Sequence, residues 1–243
     1  MSLPLFLVEA LPDADRFVLD GPEGHHAADV QRLAVGEELL LGDGRGGMAT
    51  AAVTAAGRGR LDLRIGSRQY APRPDPRLVA VQGIAKGDRG ELAVQAMTEI
   101  GADAIVPWSA SRSVAVWRAG ERGDRARQRW VDTAREAVKQ SRRAWVPEVT
   151  APESTAAVAG RLAGAALALV LHEDATRPLS TVELPSTGAI ALVVGPEGGI
   201  APAELAEFEQ AGAVPVRLGE AVLRTSTAGP AALAVLSVRL GRW

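Results

Sequence analysis

The chain has 243 residues, 47% of them hydrophobic, no cysteine and a formal charge of −2. This is enough apolar material for one large or two small domains, and it excludes a disulfide-stapled scaffold. The near-neutral total argues against a uniformly basic nucleic-acid binder, but the charge is uneven: residues 1–72 carry −3 and residues 111–148 carry +5. The opening MSLPLFLVEALPDADRF has no basic n-region, long apolar core or small-residue cleavage site, and the longest apolar stretch, residues 157–174, is broken by Arg161 and Gly164. The expectation is a cytoplasmic protein with no membrane span.

In chain order, RFVLDGPEG, EELLLGDGRGGMATAAVTAAG and GRLDLRIGSRQ read as short strands, with the glycines of GDGRGG supplying a hairpin connection. The predicted unit is small and all-β, with His25 and His26 in a polar loop. YAPRPDPR, residues 70–77, has three prolines in eight residues and reads as a linker. Beyond it, apolar runs alternate with helical ones, the pattern of a mostly parallel sheet covered by helices. Strands are expected at 78–84, 104–108, 167–173, 189–195 and 214–219. Helices are expected at 90–102, 124–144 and 227–240, the second presenting Trp130, Ala134, Ala137, Val138 and Ser141 on one face.

Three of those strands end in polar or glycine-rich segments: LHED after residue 170, GPEGG after 194 and LGEAVLRTSTAG after 217. Ligands of open α/β sheets bind beyond the carboxyl ends of strands, so these segments are expected to share one cleft. GPEGG fits neither a dinucleotide nor a Walker fingerprint. Its glycines Gly195, Gly198 and Gly199 let backbone approach a ligand closely, although they suit an ordinary βα turn equally well. The following APAELAEF starts a helix, with Pro202 in its first turn and Glu204 placed to reach back to the N-terminus. Ala201 stands where a capping side chain is expected, at a cost of roughly 1 kcal/mol. His172 suits a structural hydrogen bond better than a catalytic base, no metal-ligand spacing is present, and Thr225 and Ser226 lack a recognisable triad. The helix at 124–144 carries Arg125, Arg127, Arg129, Arg135, Lys139, Arg142 and Arg143, which form either a solvated face or a surface for a polyanion.

The segments KGDRGELAVQAMTEIGADAIVPW (86–108), AREAVKQSRRAWVPEV (134–149), LVVGPEGGIAPAEL (192–205) and VRLGEAVLRTSTAGPAAL (216–233) occur in the order of a known family. The chain resembles the RsmE family of 16S ribosomal RNA uridine-N3 methyltransferases, members of the SPOUT class. HHAADVQRLAVGEELLLGDGRG fits the same family near the N-terminus. The resemblance implies an N-terminal PUA-like RNA-binding β-barrel, residues 1–72, followed by an α/β domain, residues 73–243, with a C-terminal deep trefoil knot. It implies S-adenosylmethionine as cofactor, no metal, small-subunit rRNA as partner and a homodimer.

Carried onto this sequence, the cofactor loops fall on Leu171, His172 and Glu173, on Gly195, Pro196, Gly198 and Gly199, and on Leu218, Gly219, Val222, Leu223 and Thr227. Arg224 and Glu197 are the expected catalytic residues, with Glu173 as the second carboxylate. Arg32, Arg135, Lys139, Arg142 and Arg143 are expected to bind RNA. Two positions depart from the family pattern: Ser226, where glutamate is common, and Lys139, where the family commonly has Glu-Gln-Ser in place of the Lys-Gln-Ser at 139–141. A SPOUT enzyme for a ribose 2′-hydroxyl or a tRNA base, or a catalytically silent RNA-binding assembly factor, would share much of this pattern.

Overall fold

The structure is a computed structural model that describes residues 3–243. Met1 and Ser2, at the start of the expected 1–72 segment, lie outside the described residues. The chain forms two compact units, Met1–Arg73 with Val138–Val146, and Pro74–Ala137 with Pro147–Trp243.

In the first unit, β1 (Leu5–Leu7), β2 (Arg16–Leu19), β3 (Glu38–Gly42), β4 (Gly47–Gly57) and β5 (Arg60–Tyr70) form one sheet in the order β1-β3-β4-β5-β2. The GDGRGG connection between β3 and β4 works as its composition requires. Gly44 and Gly46 take φ values of 69° and 101°, and Asp43 Oδ1 accepts the N–H groups of Arg45 and Gly47 at 2.7 and 2.9 Å. Phe6, Leu39, Leu41, Leu61 and Leu63 alternate inward to make the core. Val138 joins Leu5 and Leu7 in a smaller cluster.

Two expectations are corrected here. β1 pairs only with β3 and β2 only with β5, so the sheet has two edges and no closed barrel among the described residues. His25 and His26 are not in a loop: α1 (Gly21–His25) runs into a π-helical turn, His26–Val30. Pro22 at the N-terminus of α1 favours the helical start, and His25 Nδ1 lies 2.7 Å from Asp29 Oδ2, one helical turn on. That hydrogen bond, with the Gly59 N–H, holds the Asp29 carboxyl below its ordinary range.

The second unit is a six-stranded, wholly parallel sheet in the order β11-β9-β10-β6-β7-β8. Its strands are β6 (Arg77–Gly83), β7 (Ala104–Trp108), β8 (Glu148–Val149), β9 (Leu167–Leu171), β10 (Ala189–Val194) and β11 (Val214–Val216). The apolar runs are continuous because helices cover both faces. Leu78 and Ala80 of β6, with Ile190, Leu192 and Val194 of β10, face one core, shared with Met97, Trp130, Leu233 and Leu236. Val79, Val81, Ala191 and Val193 face the other, shared with Val158, Leu162 and Phe208. The first core is covered by α2 (Arg89–Ile100), α6 (Thr225–Arg239) and residues of α3 (Glu121–Ser141) that lie in this unit; the second by α4 (Thr155–Ala163) and α5 (Pro202–Gln210).

On α3 the expected apolar positions Trp130, Ala134, Ala137 and Val138 are buried. Close approach of α2 to its neighbours depends on two glycines: a Cβ on Gly90 would stand 2.8 Å from the Trp130 ring, and one on Gly229 of α6 would stand 2.8 Å from Met97 Sδ. No helix among the described residues is long and apolar enough to cross a membrane.

Candidate active site

Because every strand of the second unit runs the same way, the carboxyl ends of β6, β9, β10 and β11 lie along one edge of the sheet, and these four are neighbours in it. The segments that leave β9, β10 and β11 line a cleft of about 1120 Å³. β9 stops at Leu171 and β11 at Val216, earlier than the sequence pattern suggests, and the freed residues turn into the cleft wall. There His172 N–H donates to Val216 O at 3.0 Å, and Arg217 N–H donates to Arg177 O at 3.0 Å. His172 Nδ1 accepts the Asp174 N–H at 3.2 Å, the structural hydrogen bond expected of it.

Leu171, His172, Glu173, Gly195, Pro196, Gly198, Gly199, Leu218, Gly219, Val222 and Leu223 all line the cleft, and so do Arg224 and Glu197. Thr227 does not. It sits in the first turn of α6, where Thr225 and Ala228, three residues apart, share the cleft side and Thr227 points elsewhere. Arg224 precedes this helix as its N-cap, in extended backbone geometry, with its side chain exposed.

The GPEGG turn is held from several sides. A Cβ on Gly198 would stand 2.8 Å from the Arg112 carbonyl, and one on Gly195 2.9 Å from Ile200 Cγ1, so both glycines are required by close packing. Gly199 adopts φ 72° and its N–H donates to Pro196 O at 2.9 Å. Gly219 differs: beyond its chain neighbours, a Cβ there would meet no atom of the described residues within 4 Å. Glu197 Oε1 accepts the Lys86 N–H at 3.1 Å and lies 3.4 Å from Arg89 Nη1, joining the turn to the KGDR segment that leaves β6.

A family model described as an RNA methyltransferase domain matches residues 72–237, and one described as an RNA methyltransferase PUA domain matches residues 19–66. The ribosomal RNA small subunit methyltransferase E of Mycobacterium bovis is 47% identical over 100% of this chain and 94% of its own length. The chain belongs to the ribosomal RNA small subunit methyltransferase E family. The Bacillus subtilis member is 29% identical over 94% of this chain and 92% of its own. The Neisseria gonorrhoeae member, whose crystal structure is bound to S-adenosyl methionine, superposes with a TM-score of 0.87 at 27% identity, over 98% of each chain.

Besides Arg217, directly after β11, sequence reasoning missed two cationic residues of this methyltransferase's cleft, Arg89 and Arg112. Both follow strand carboxyl ends, those of β6 and β7, so the rule that singled out the other loops could have found them. Arg112 Nη1 lies 3.4 Å from the carbonyls of Gly198 and Ile200. Glu204 performs its expected role and more. Oε2 accepts the Ala201 N–H at 3.0 Å, the reach back to the helix start, while Oε1 accepts the Ser111 N–H at 2.7 Å and the Thr155 hydroxyl at 3.0 Å. Burial opposes its ionisation, but the N–H groups of Ser111 and Ala201 and the hydroxyls of Ser111 and Thr155 outweigh it and hold the carboxyl below its usual range.

A carboxyl whose folded pKa is depressed adds stability above its unfolded pKa and loses that contribution as the pH falls through the folded value. Glu204→Gln is therefore expected to cost about 1–3 kcal/mol at neutral pH, with the gap to wild type closing in acid, as measured by denaturant unfolding at several pH values.

Of the expected RNA contacts, Arg32, Arg135 and Arg142 are exposed and Arg143 is half-buried. Lys139 is largely covered, 12% exposed at its side chain, with Nζ 3.3 Å from Glu23 Oε1. Arg125 and Arg129 pair with Glu121 and Glu91, and Arg127 donates to the carbonyls of Val149 and Thr150. Among the described residues no group of three or more His, Asp or Glu side chains is placed to hold a metal.

Proposed function

We propose that this methyltransferase uses S-adenosylmethionine to methylate uridine N3 in the 16S RNA of the small ribosomal subunit. The observation that carries the reading is the convergence of the β9, β10 and β11 ends on one cleft whose glycines are packed against protein at Gly195 and Gly198 but face open space at Gly219. That combination fits a cofactor held by backbone groups, with Leu171, His172, Glu173, Pro196, Gly199, Leu218, Val222 and Leu223 completing its walls. The volume of about 1120 Å³ is ample for a small-molecule cofactor, for which roughly 300–1,000 Å³ is usual.

S-adenosylmethionine supplies a methyl group already activated by its sulfonium. The chain's residues therefore have to orient the uracil and manage its imide proton, because N3 is nucleophilic once that proton has left. Arg224 stabilises the negative charge that spreads onto the uracil carbonyls. Glu197 has one oxygen committed to Lys86 and Arg89, which fixes the carboxylate and leaves Oε2 to take or orient the N3 proton. Glu173, which also lines the cleft, is the alternative carboxylate for this role. Incubation of the purified protein with labelled S-adenosylmethionine and unmethylated small-subunit particles tests this: the label is expected in 3-methyluridine, and label in any other nucleoside contradicts the assignment.

RNA phosphate is met by Arg32, Arg135, Arg142 and Arg143, while Lys139 holds its Glu23 partner. Arg32 and Arg142 support this reading through their backbones. Both follow helical turns with φ of 57° and 53°, a conformation in which glycine is usual and arginine costs about 1 kcal/mol. Replacing each by glycine is expected to raise stability by about 0.5–1 kcal/mol and yet weaken RNA binding, with the salt slope falling by about one per residue. Equal salt slopes for variant and wild type would make these arginines ordinary helix ends.

The finer architecture belongs to the same reading. Residues 1–72 serve RNA binding as a PUA-like unit, residues 73–243 carry transfer, and the C-terminal part is knotted as in the SPOUT class. Support for the knot comes from the motif order and from β9, β10 and β11 assembling beside β6 instead of beyond β8. A cytoplasmic homodimer follows from the family resemblance, and exposed Leu92 on α2 and Val238 on α6 support an apolar contact surface.

A further inference from the structure

Gln82 is fully buried at the end of β6 and does not line the cleft. Its Nε2 donates to Gly83 O at 3.1 Å and to Thr225 Oγ1 at 2.8 Å, and the Thr225 hydroxyl donates to Gly195 O at 2.7 Å. The direction of this chain is fixed by chemistry. Gly83 O can only accept, so the amide nitrogen must face it; Thr225 then receives an N–H from Gln82, and its single proton goes to Gly195. Among the described residues Gln82 Oε1 is left buried without a hydrogen-bond partner. Leucine or methionine would fill the same space with no orphaned oxygen, so packing does not account for the amide.

The next residue makes the contact closer. A Cβ on Gly83 would stand 2.6 Å from Pro196 N and 3.0 Å from the Gly195 carbonyl carbon, so the end of β6 supports the GPEGG turn from beneath. On the other side of the link, Thr225 opens α6 and directly follows Arg224. One hydroxyl thus ties the first glycine of the turn to the helix start that presents the arginine.

We infer that Gln82, Gly83 and Thr225 form a seat that holds the Gly195–Pro196 turn and Arg224 in a single register, with the Thr225 hydroxyl as its link. They are positioning residues, and the inference rests on the reading of this cleft as the site of S-adenosylmethionine and uridine. A shift of either wall would misalign the reacting groups without removing any of them. Gln82 is the informative position because it does not line the cleft, so that what it contributes to the site is transmitted through the Thr225 hydroxyl.

The test compares the full-length wild type with Thr225→Val, Thr225→Ser, Gln82→Met and the Gln82→Met/Thr225→Val double variant. It uses calorimetric affinity for S-adenosylmethionine, kcat and KM on small-subunit particles, and thermal melting. Thr225→Val is expected to weaken cofactor affinity about tenfold and to lower kcat at least about tenfold, while Thr225→Ser stays within about threefold of wild type. Gln82→Met is expected to lower kcat about fivefold or more with melting unchanged or raised, and the double variant to match Thr225→Val, because both act through one link.

Wild-type kcat and affinity in Gln82→Met overturn the seat, and this variant decides alone if Thr225→Val does not fold. Equal impairment of Thr225→Ser and Thr225→Val overturns the hydroxyl link, as do multiplying effects in the double variant. A wild-type protein that binds no S-adenosylmethionine contradicts the functional reading and the seat with it, whereas an active wild type with unaffected variants contradicts the seat alone.

Discussion

Arg224→Ala is expected to lose about 10²–10³ in kcat, the loss usual when a preorganised group facing developing charge is removed. Cofactor affinity is expected to stay within about threefold of wild type, because the arginine is assigned to the uracil and not to the cofactor. The residue is suited to this role by its place: it caps α6 with extended backbone, its carbonyl accepts the Thr227 and Ala228 N–H groups at 2.9 Å, and its side chain stands exposed at the cleft. Truncating that side chain leaves both helix hydrogen bonds in place, so the fold should be unaffected. Single-turnover methylation with calorimetric binding separates the two effects, and unchanged turnover would remove Arg224 from the chemistry.

Gly219→Val is the second large effect, and it separates the needs of the ligand from those of the protein. Beyond its chain neighbours no atom of the described residues lies within 4 Å of a Cβ there, and Gly219 is not among the glycines of positive φ, so melting should match wild type. If the cofactor occupies that space, its affinity should fall about tenfold or more, equivalent to about 1.4 kcal/mol. Gly198→Ala makes a useful contrast. Its Cβ would meet the Arg112 carbonyl, so it should disturb the turn whether or not a ligand is present. Equal affinity in Gly219→Val and wild type would place the cofactor elsewhere in the cleft.

The parallel sheet was legible because its strands are buried on both faces and therefore read as unbroken apolar runs, as in 104–108, which matches β7 residue for residue. Other elements gave no such signal. α4 is nine residues of alanine, glycine, valine and leucine, with one threonine and one arginine, indistinguishable by pattern from the apolar strand after it. β1 and β8 have three and two residues, too few for any period to show. The first unit was read as a barrel from family likeness alone, because closure depends on which edges pair, and a strand's sequence does not state its neighbours.

The site was legible through topology: once the strands are parallel, the segments after their carboxyl ends must gather on one edge. Thr227, expected from the linear motif, does not line the cleft, because the turn of α6 brings Thr225 and Ala228 there. The Gln82 link could not be read at all, since it joins residues 143 apart in the sequence. Glu197, the charged residue of the GPEGG turn, is now tied through Oε1 to the segment leaving β6. Ser226, the departure from the family pattern, is buried at 7% exposure, and nothing in the structure explains the change.

The most direct test of the central claim is nucleoside mass spectrometry of 16S RNA from a strain lacking this gene. Loss of 3-methyluridine from that RNA, restored by the wild-type gene and not by Arg224→Ala, is the predicted result. Undiminished 3-methyluridine, or loss of a ribose-methylated nucleoside in its place, would contradict it.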